Sequence, residues 1–187
     1  LSESEGTSGN SLWVTKLDGT DKPFTMIAEG FDFEYYILEN FGDQLLMMTN
    51  ENSPKWKLVM VDFNNPAREN WKVIIPEKEE VLQSVSLIGG KMVATYMKDA
   101  TSVAYIYDYE GKYLADLSLP GIGSLAGISG KKEDKIAFYT FTSFTFPSTI
   151  YKYEVANNTS EIFRKSEIDF DVDAYETKQG FYTAKDG

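Results

Sequence analysis

Short apolar runs alternate along this chain with polar connections rich in Gly, Asn, Asp and Pro. The runs favour Val, Ile, Tyr, Phe and Thr, and such segments bounded by turn residues predict β-strands. No window carries apolar positions at a helical period with capping residues, so no helix is expected. The pattern predicts an all-β chain.

The strands recur in a fixed order. Four apolar runs end in an acid: "LWVTKLD" at Asp18, "WKLVMVD" at Asp62, "VAYIYDY" with Asp108 and "TIYKYEV" with Glu154, at spacings of 44, 46 and 46 residues. Two strand-like runs precede each of the last three. They are "FEYYILEN" and "DQLLMMTN", "EVLQSVSLIG" and "GKMVATYM", then "SLAGISG" and "DKIAFYTF". A fourth run follows each acid: "PFTMIAE", "WKVIIPE", "YLADLSLP" and "SEIFRKS". Four strands in about 45 residues is the unit of a β-propeller blade. The expected fold is therefore a partial β-propeller, with about three full blades of four antiparallel strands and two partial units. Inner runs such as "LLMM" and "IAFY" are apolar on both faces, as expected for a blade sandwiched between two neighbours. The acid closing each third strand is expected to accept hydrogen bonds from the turn that follows.

Composition narrows the function. The chain has 187 residues, 42% of them hydrophobic, and a net charge of −11. That charge argues against nucleic acid, whose phosphates require clustered Lys and Arg. No run is long and apolar enough to span a membrane, and no targeting segment is recognised. There is no cysteine and no histidine. Disulfides, thiol nucleophiles, a His general base and a Ser-His-Asp triad are thereby excluded from these residues. The lack of cysteine suits a cytoplasmic or a periplasmic location equally. The chain opens on Leu1 rather than Met, and the expectation is that it is a piece of something longer.

Several motifs approach known sites and miss. "GIGSLAG", Gly121 to Gly127, lacks the following helix that a dinucleotide fingerprint needs. "GISGKK" lacks the Ser or Thr of a phosphate-binding loop. "DFDVDAYE", Asp169 to Glu176, has Ala174 where a calcium loop requires Gly. Ser129 in "GISGK" falls short of a nucleophile elbow. Asn157-Asn158-Thr159-Ser160 holds two overlapping glycosylation sequons of the kind that occur by chance in turns. No catalytic, cofactor-binding or metal-ligating residue is assigned, and no cofactor is expected.

The stretch "TNENSPKWKLVMVDFNNPARENWKVIIPE", Thr49 to Glu77, resembles the propeller of prolyl oligopeptidases, serine peptidases with the order T-N-x-x-S-P, L-x-x-x-D-F and P-x-x-x-x-W-K-V-x-x-P-E. The likeness continues through "FTSFTFPSTIY" and ends in "DAYETKQGFYTAKDG", similar to the segment that enters that family's catalytic domain. The resemblance implies a parent enzyme with a seven-bladed propeller and an α/β-hydrolase domain that carries a Ser, Asp and His triad and cleaves short peptides after proline. Residues 1–168 would be the latter part of the propeller. Residues 169–187 would be the linker and the first strand leading into the absent catalytic domain, with Asp186-Gly187 at a hairpin turn. The family carries an Arg and a Cys facing substrate in the loop before the first strand; "SESEGTSGN" here has neither, so Ser4 and Thr7 are assigned no contact.

Under this reading the chain is a non-catalytic gating part. Its partners are short proline-containing peptides, through the parent, and the hydrolase domain. The chain alone is expected to be inactive and to self-associate. The alternative is a stand-alone propeller-type binding module without enzymatic activity, which would need its own closed ring.

Overall fold

A computed structural model describes residues 1–17, 22–145, 147–167 and 174–185. Asp18, the acids Asp169, Asp171 and Asp173, and the Asp186-Gly187 turn lie outside the described residues. The chain divides into two compact units, Leu1–Gln83 and Ser84–Gly187.

In the first unit, β1 (Ser2–Glu3), β2 (Ser11–Val14) and β3 (Thr25–Ala28) form a three-stranded antiparallel sheet. A four-stranded sheet follows in sequence order, with β4 (Tyr35–Phe41), β5 (Gln44–Thr49), β6 (Lys57–Asp62) and β7 (Lys72–Ile75). The second unit is entered along β8 (Val81–Ile88), which pairs in a meander with β9 (Lys91–Lys98), β10 (Thr101–Tyr107) and β11 (Tyr113–Asp116). Its other sheet is β12 (Ser124–Ser129), β13 (Ile136–Thr142), β14 (Thr149–Glu154) and β15 (Thr159–Lys165). A 3₁₀ turn at Arg68–Asn70 lies between β6 and β7. The fold is a partial β-propeller, as the repeat predicts.

The expected register holds in the three full blades. The runs ending at Asp62, Asp108 and Glu154 are the third strands of their sheets. The acids act as expected at two of the three turns. Asp62 Oδ1 accepts the Asn64 N–H at 2.8 Å, and Asp108 Oδ1 accepts those of Glu110 at 3.1 Å and Lys112 at 2.8 Å. Glu154, longer by one methylene, instead accepts the Asn157 side-chain amide at 2.8 Å.

Each unit is held by apolar side chains from two sheets. In the first, Leu12, Ile27 and Ala28 pack with Tyr35, Leu45, Met47, Val59 and Val61. In the second, Val93, Ala104 and Ile106 meet Leu125, Ala137, Tyr139, Phe141 and Tyr153. Each fully buried side chain of this size is worth about 1.5–3 kcal/mol of transfer free energy. β5 is buried on both faces from Leu45 to Thr49, as the "LLMM" run predicts.

Two expectations are corrected. β13 alternates: Ala137, Tyr139 and Phe141 are buried, while Ile136 is exposed and Phe138 and Thr140 are half-buried. The "IAFY" run is therefore covered on one face only, because no sheet of this unit lies on the other. The loop "SESEGTSGN" contributes a strand, since Ser2 and Glu3 pair with Leu12 and Ser11. Residues 175–184, which include "GFYT", pair with none of the described strands.

Candidate functional site

The motif-bearing loop lies between β5 and β6. Two of its residues adopt positive φ, Asn52 at 52° and Trp56 at 71°. Polar contacts hold this shape. Ser53 N–H donates to Asn50 O at 3.0 Å, and Trp56 N–H to Ser53 O at 2.7 Å. Asn50 Oδ1 reaches out to accept the Glu34 N–H at 2.8 Å.

Glu51 starts a network that ties the two sheets of the first unit. Its carboxylate accepts Arg68 Nε at 3.0 Å and the Tyr35 hydroxyl at 2.9 Å. Arg68 also donates to Ile27 O on β3 at 2.6 Å and to the Tyr35 hydroxyl at 3.2 Å. Its guanidinium lies 4.2 Å from the Trp71 ring centroid. A planar fork with several donors suits such a site better than an ammonium would. Thus the Asn50–Ser53 part, Arg68 and Trp71 of the Thr49–Glu77 stretch are one structural cluster. Burial, then the bond to Glu51, pushes the Tyr35 phenol up to about 12.

The second unit carries a cleft of about 440 Å³ at one end of its sheets. The Asp99-Ala100 turn joins β9 to β10 there, with φ of 48° and 60°. Ile122, Gly123 and Ser124 lead into β12, and Thr142, Ser143 and Phe144 lead out of β13. Thr177, Lys178 and Gln179 complete its lining. The Thr177 and Thr145 hydroxyls are 2.7 Å apart, and the Gln179 side-chain amide donates to Asp99 O.

No reacting group emerges. Ser129 Oγ donates to Phe138 O at 3.3 Å and faces no base. Gly121 to Gly127 leads into a strand rather than a helix, so no phosphate is cradled. Asn157 and Asn158 sit in the β14–β15 turn, where Asn158 Nδ2 donates to Asp116 O at 3.0 Å. Among the described residues no His, Cys, Asp or Glu cluster could hold a metal, and no helix is long and apolar enough to cross a membrane. The resolved pKa shifts all move away from neutrality. Tyr35 and Tyr153 rise to about 12, Tyr36, Tyr113, Tyr139, Tyr151 and Lys152 also rise, and Asp43 falls. General acid–base work near pH 7 requires the opposite.

A family model described as the N-terminal β-propeller domain of prolyl oligopeptidase matches residues 1–166. The chain belongs to the prolyl oligopeptidase family. A prolyl endopeptidase of Elizabethkingia meningoseptica is 37% identical over 188 residues, covering all of this chain and 26% of that protein. A prolyl endopeptidase of Dictyostelium discoideum is 32% identical and covers 83% of the chain. The chain thus spans about a quarter of the length of the first of these relatives. Among solved structures, one from a study of inter-domain dynamics in two prolyl endopeptidases superposes with a TM-score of 0.87 at 34% identity, over 96% of this chain and 26% of that one. Prolyl oligopeptidase B from Galerina marginata, bound to a 35mer substrate, gives 0.84 at 26% identity, over 97% of this chain and 26% of that one.

Membership in the family agrees with the motif resemblance, including the stretch from Thr49 to Glu77. Sequence reasoning had no access to the cleft of this propeller piece, because its walls come from positions nearly eighty residues apart.

Proposed function

We propose that this chain is the non-catalytic, gating part of a prolyl-oligopeptidase-type serine endopeptidase that cleaves short peptides after proline. The single observation behind this reading is the propeller match over residues 1–166. It is supported by the lack of any histidine in the chain, and the chemistry would belong to residues outside it. Residues 169–187 would then lead into an α/β-hydrolase domain, and the parent would reside in the cytoplasm or periplasm. A ring of blades passes only what its central channel or an opened domain gap admits. In the Galerina relative a 35mer is accommodated. The full-length parent should therefore hydrolyse short Pro-containing peptides and leave the same Pro sites intact in a folded protein. Mass spectrometry of both digests decides it, and equal cleavage of the folded protein would remove the gating role.

The isolated chain should also self-associate. β13 and β15 expose Ile136 at 42% and Phe163 at 60%, with Phe138 packed edge-on to Phe163 at 4.9 Å. These side chains form an apolar patch beside the Lys152–Glu161 ion pair on the same sheet, and exposed apolar patches mark interaction surfaces. Light scattering should give a mass above the 21.1 kDa monomer that rises with concentration. A constant monomer mass would contradict this.

A further inference from the structure

Tyr36 and Trp56 stack on the surface of the first unit, with ring centroids 5.8 Å apart and planes 21° apart. Tyr36 stands near the start of β4 and is 48% exposed. Trp56 is the last residue of the β5–β6 loop and holds a φ of 71°. Bulky residues rarely adopt the left-handed region, and strained positions of this kind gather at ligand clamps. Beside Tyr36 lies a recess of about 100 Å³. Residues of the Ser4–Gly9 loop line one part of it, and Glu34 and Tyr36 another. Ser2 and Asn10, joined by a 2.9 Å bond from Nδ2 to Oγ, complete the lining. The Glu34 backbone is held by Asn50 Oδ1, which accepts its N–H at 2.8 Å, and its carboxylate accepts the Tyr36 hydroxyl.

Glu34 is the one charged side chain among the described residues that line this recess. No Lys or Arg lines it, and the chain as a whole carries a net charge of −11. An ionised carboxylate has about four lone-pair sites, so one hydroxyl leaves room for further donors. An aromatic face beside it attracts a cation through the ring quadrupole. Carboxylate and aromatic together suit a cation and repel an anion. Size sets the rest. At roughly 30 Å³ per water, the recess holds about three waters. That is room for the head of one Lys or Arg side chain and too little for a whole residue. The apolar stem of such a side chain would lie along the Tyr36–Trp56 pair, as these stems do on apolar surface.

We propose that Glu34 and the Tyr36–Trp56 pair receive a Lys or Arg side chain of the peptide that the parent cleaves, so that basic prolyl peptides are its preferred substrates. This rests on the reading that the parent takes prolyl peptides, and adds to it the charge of the substrate. Glu34 is then a specificity-determining residue and takes no part in bond cleavage.

The test crosses the full-length parent and its Glu34→Gln variant with peptides that carry either Lys or its uncharged analogue norleucine. A quenched peptide with a single Gly-Pro site is made with the Lys moved through each position on either side. In the wild type at least one position should give a kcat/KM about fivefold or more higher for Lys than for norleucine, through a lower KM. In Glu34→Gln the ratio at that position should fall to about one. Each ratio is taken within one protein, so a loss of folded enzyme cancels. Raising the salt from about 0.05 M to about 0.5 M should shrink the wild-type ratio. No Lys preference at any position in the wild type overturns the inference, as does a preference that Glu34→Gln leaves intact. Failure of the underlying reading has a different signature, in which neither peptide is cleaved. Fluorescence anisotropy of the labelled peptides then decides the inference alone. Tighter binding of the Lys peptide, abolished by Glu34→Gln, supports it, and equal binding of the two peptides overturns it.

Discussion

Asn10→Ala should destabilise the first unit by roughly 2–6 kcal/mol, out of proportion to the loss of one polar side chain. Asn10 is 5% exposed, and its amide spans the gap between the two sheets of that unit. Its Nδ2 donates to Tyr35 O at 3.1 Å and its Oδ1 accepts the Tyr35 N–H at 2.8 Å, so both backbone groups of a buried strand residue depend on it. The Asn10 N–H donates to Phe33 O at 2.9 Å. Gly9, at φ 79°, lets the chain reach this place, since a Cβ there would collide with the Phe31 carbonyl. Removing the amide strands one donor and one acceptor away from water, and each costs about 1–3 kcal/mol. Trp13, Trp56 and Trp71 are the only tryptophans and all lie in this unit, so their fluorescence in urea reports it alone. Asn157→Ala, on an exposed turn, should shift stability by less than about 0.5 kcal/mol. A change under about 1 kcal/mol for Asn10→Ala would mean that water replaces the amide.

The second large effect is alkaline unfolding. Tyr35 and Tyr153 are buried, and burial, which disfavours phenolate, pushes both phenols up to about 12 from an ordinary value of 10.0. Glu51 adds to the rise at Tyr35, and Tyr139 at Tyr153. In the unfolded chain both protons leave near pH 10, while the folded chain keeps them. Their contribution to stability is fully present below pH 10 and is lost as pH rises through 12. At about 1.4 kcal/mol per pH unit for each group, the two together remove on the order of 5 kcal/mol over that window. Thermal unfolding across the range, with phenolate absorbance followed in parallel, should show Tyr35 and Tyr153 among the tyrosines that ionise only as the fold melts. Tyr153→Phe should make the slope shallower. A melting temperature flat to pH 12 would contradict the assignment.

The blade repeat was legible because its signals are local. Each third strand ends in an acid whose carboxylate caps the next turn at Asp62 and Asp108, and the alternation of side chains is visible in the run itself. β1 was not legible, because Ser2 and Glu3 are both exposed and carry no apolar alternation. Nor was the one-sided burial of β13, since an apolar residue on an uncovered face looks the same in sequence as one on a covered face. Asn10 looks like any turn residue until Tyr35, 25 positions away, is brought beside it. The Arg68 cluster was visible as a motif but not as a structure, for its partners Ile27, Tyr35 and Glu51 are scattered across three other segments. The cleft required the turn at Asp99, the Thr142–Phe144 loop and the Thr177–Gln179 segment to meet.

The central claim is that these residues shape access and supply no chemistry. A phosphonate that reacts with activated serines, applied to the full-length parent while a chromogenic Gly-Pro substrate is followed, tests it most directly. Turnover should stop, and peptide mapping should place the label on a serine outside the 187 residues, with this chain alone showing neither label nor turnover. A label on any serine within the chain, Ser129 above all, with parallel loss of turnover, would contradict the account.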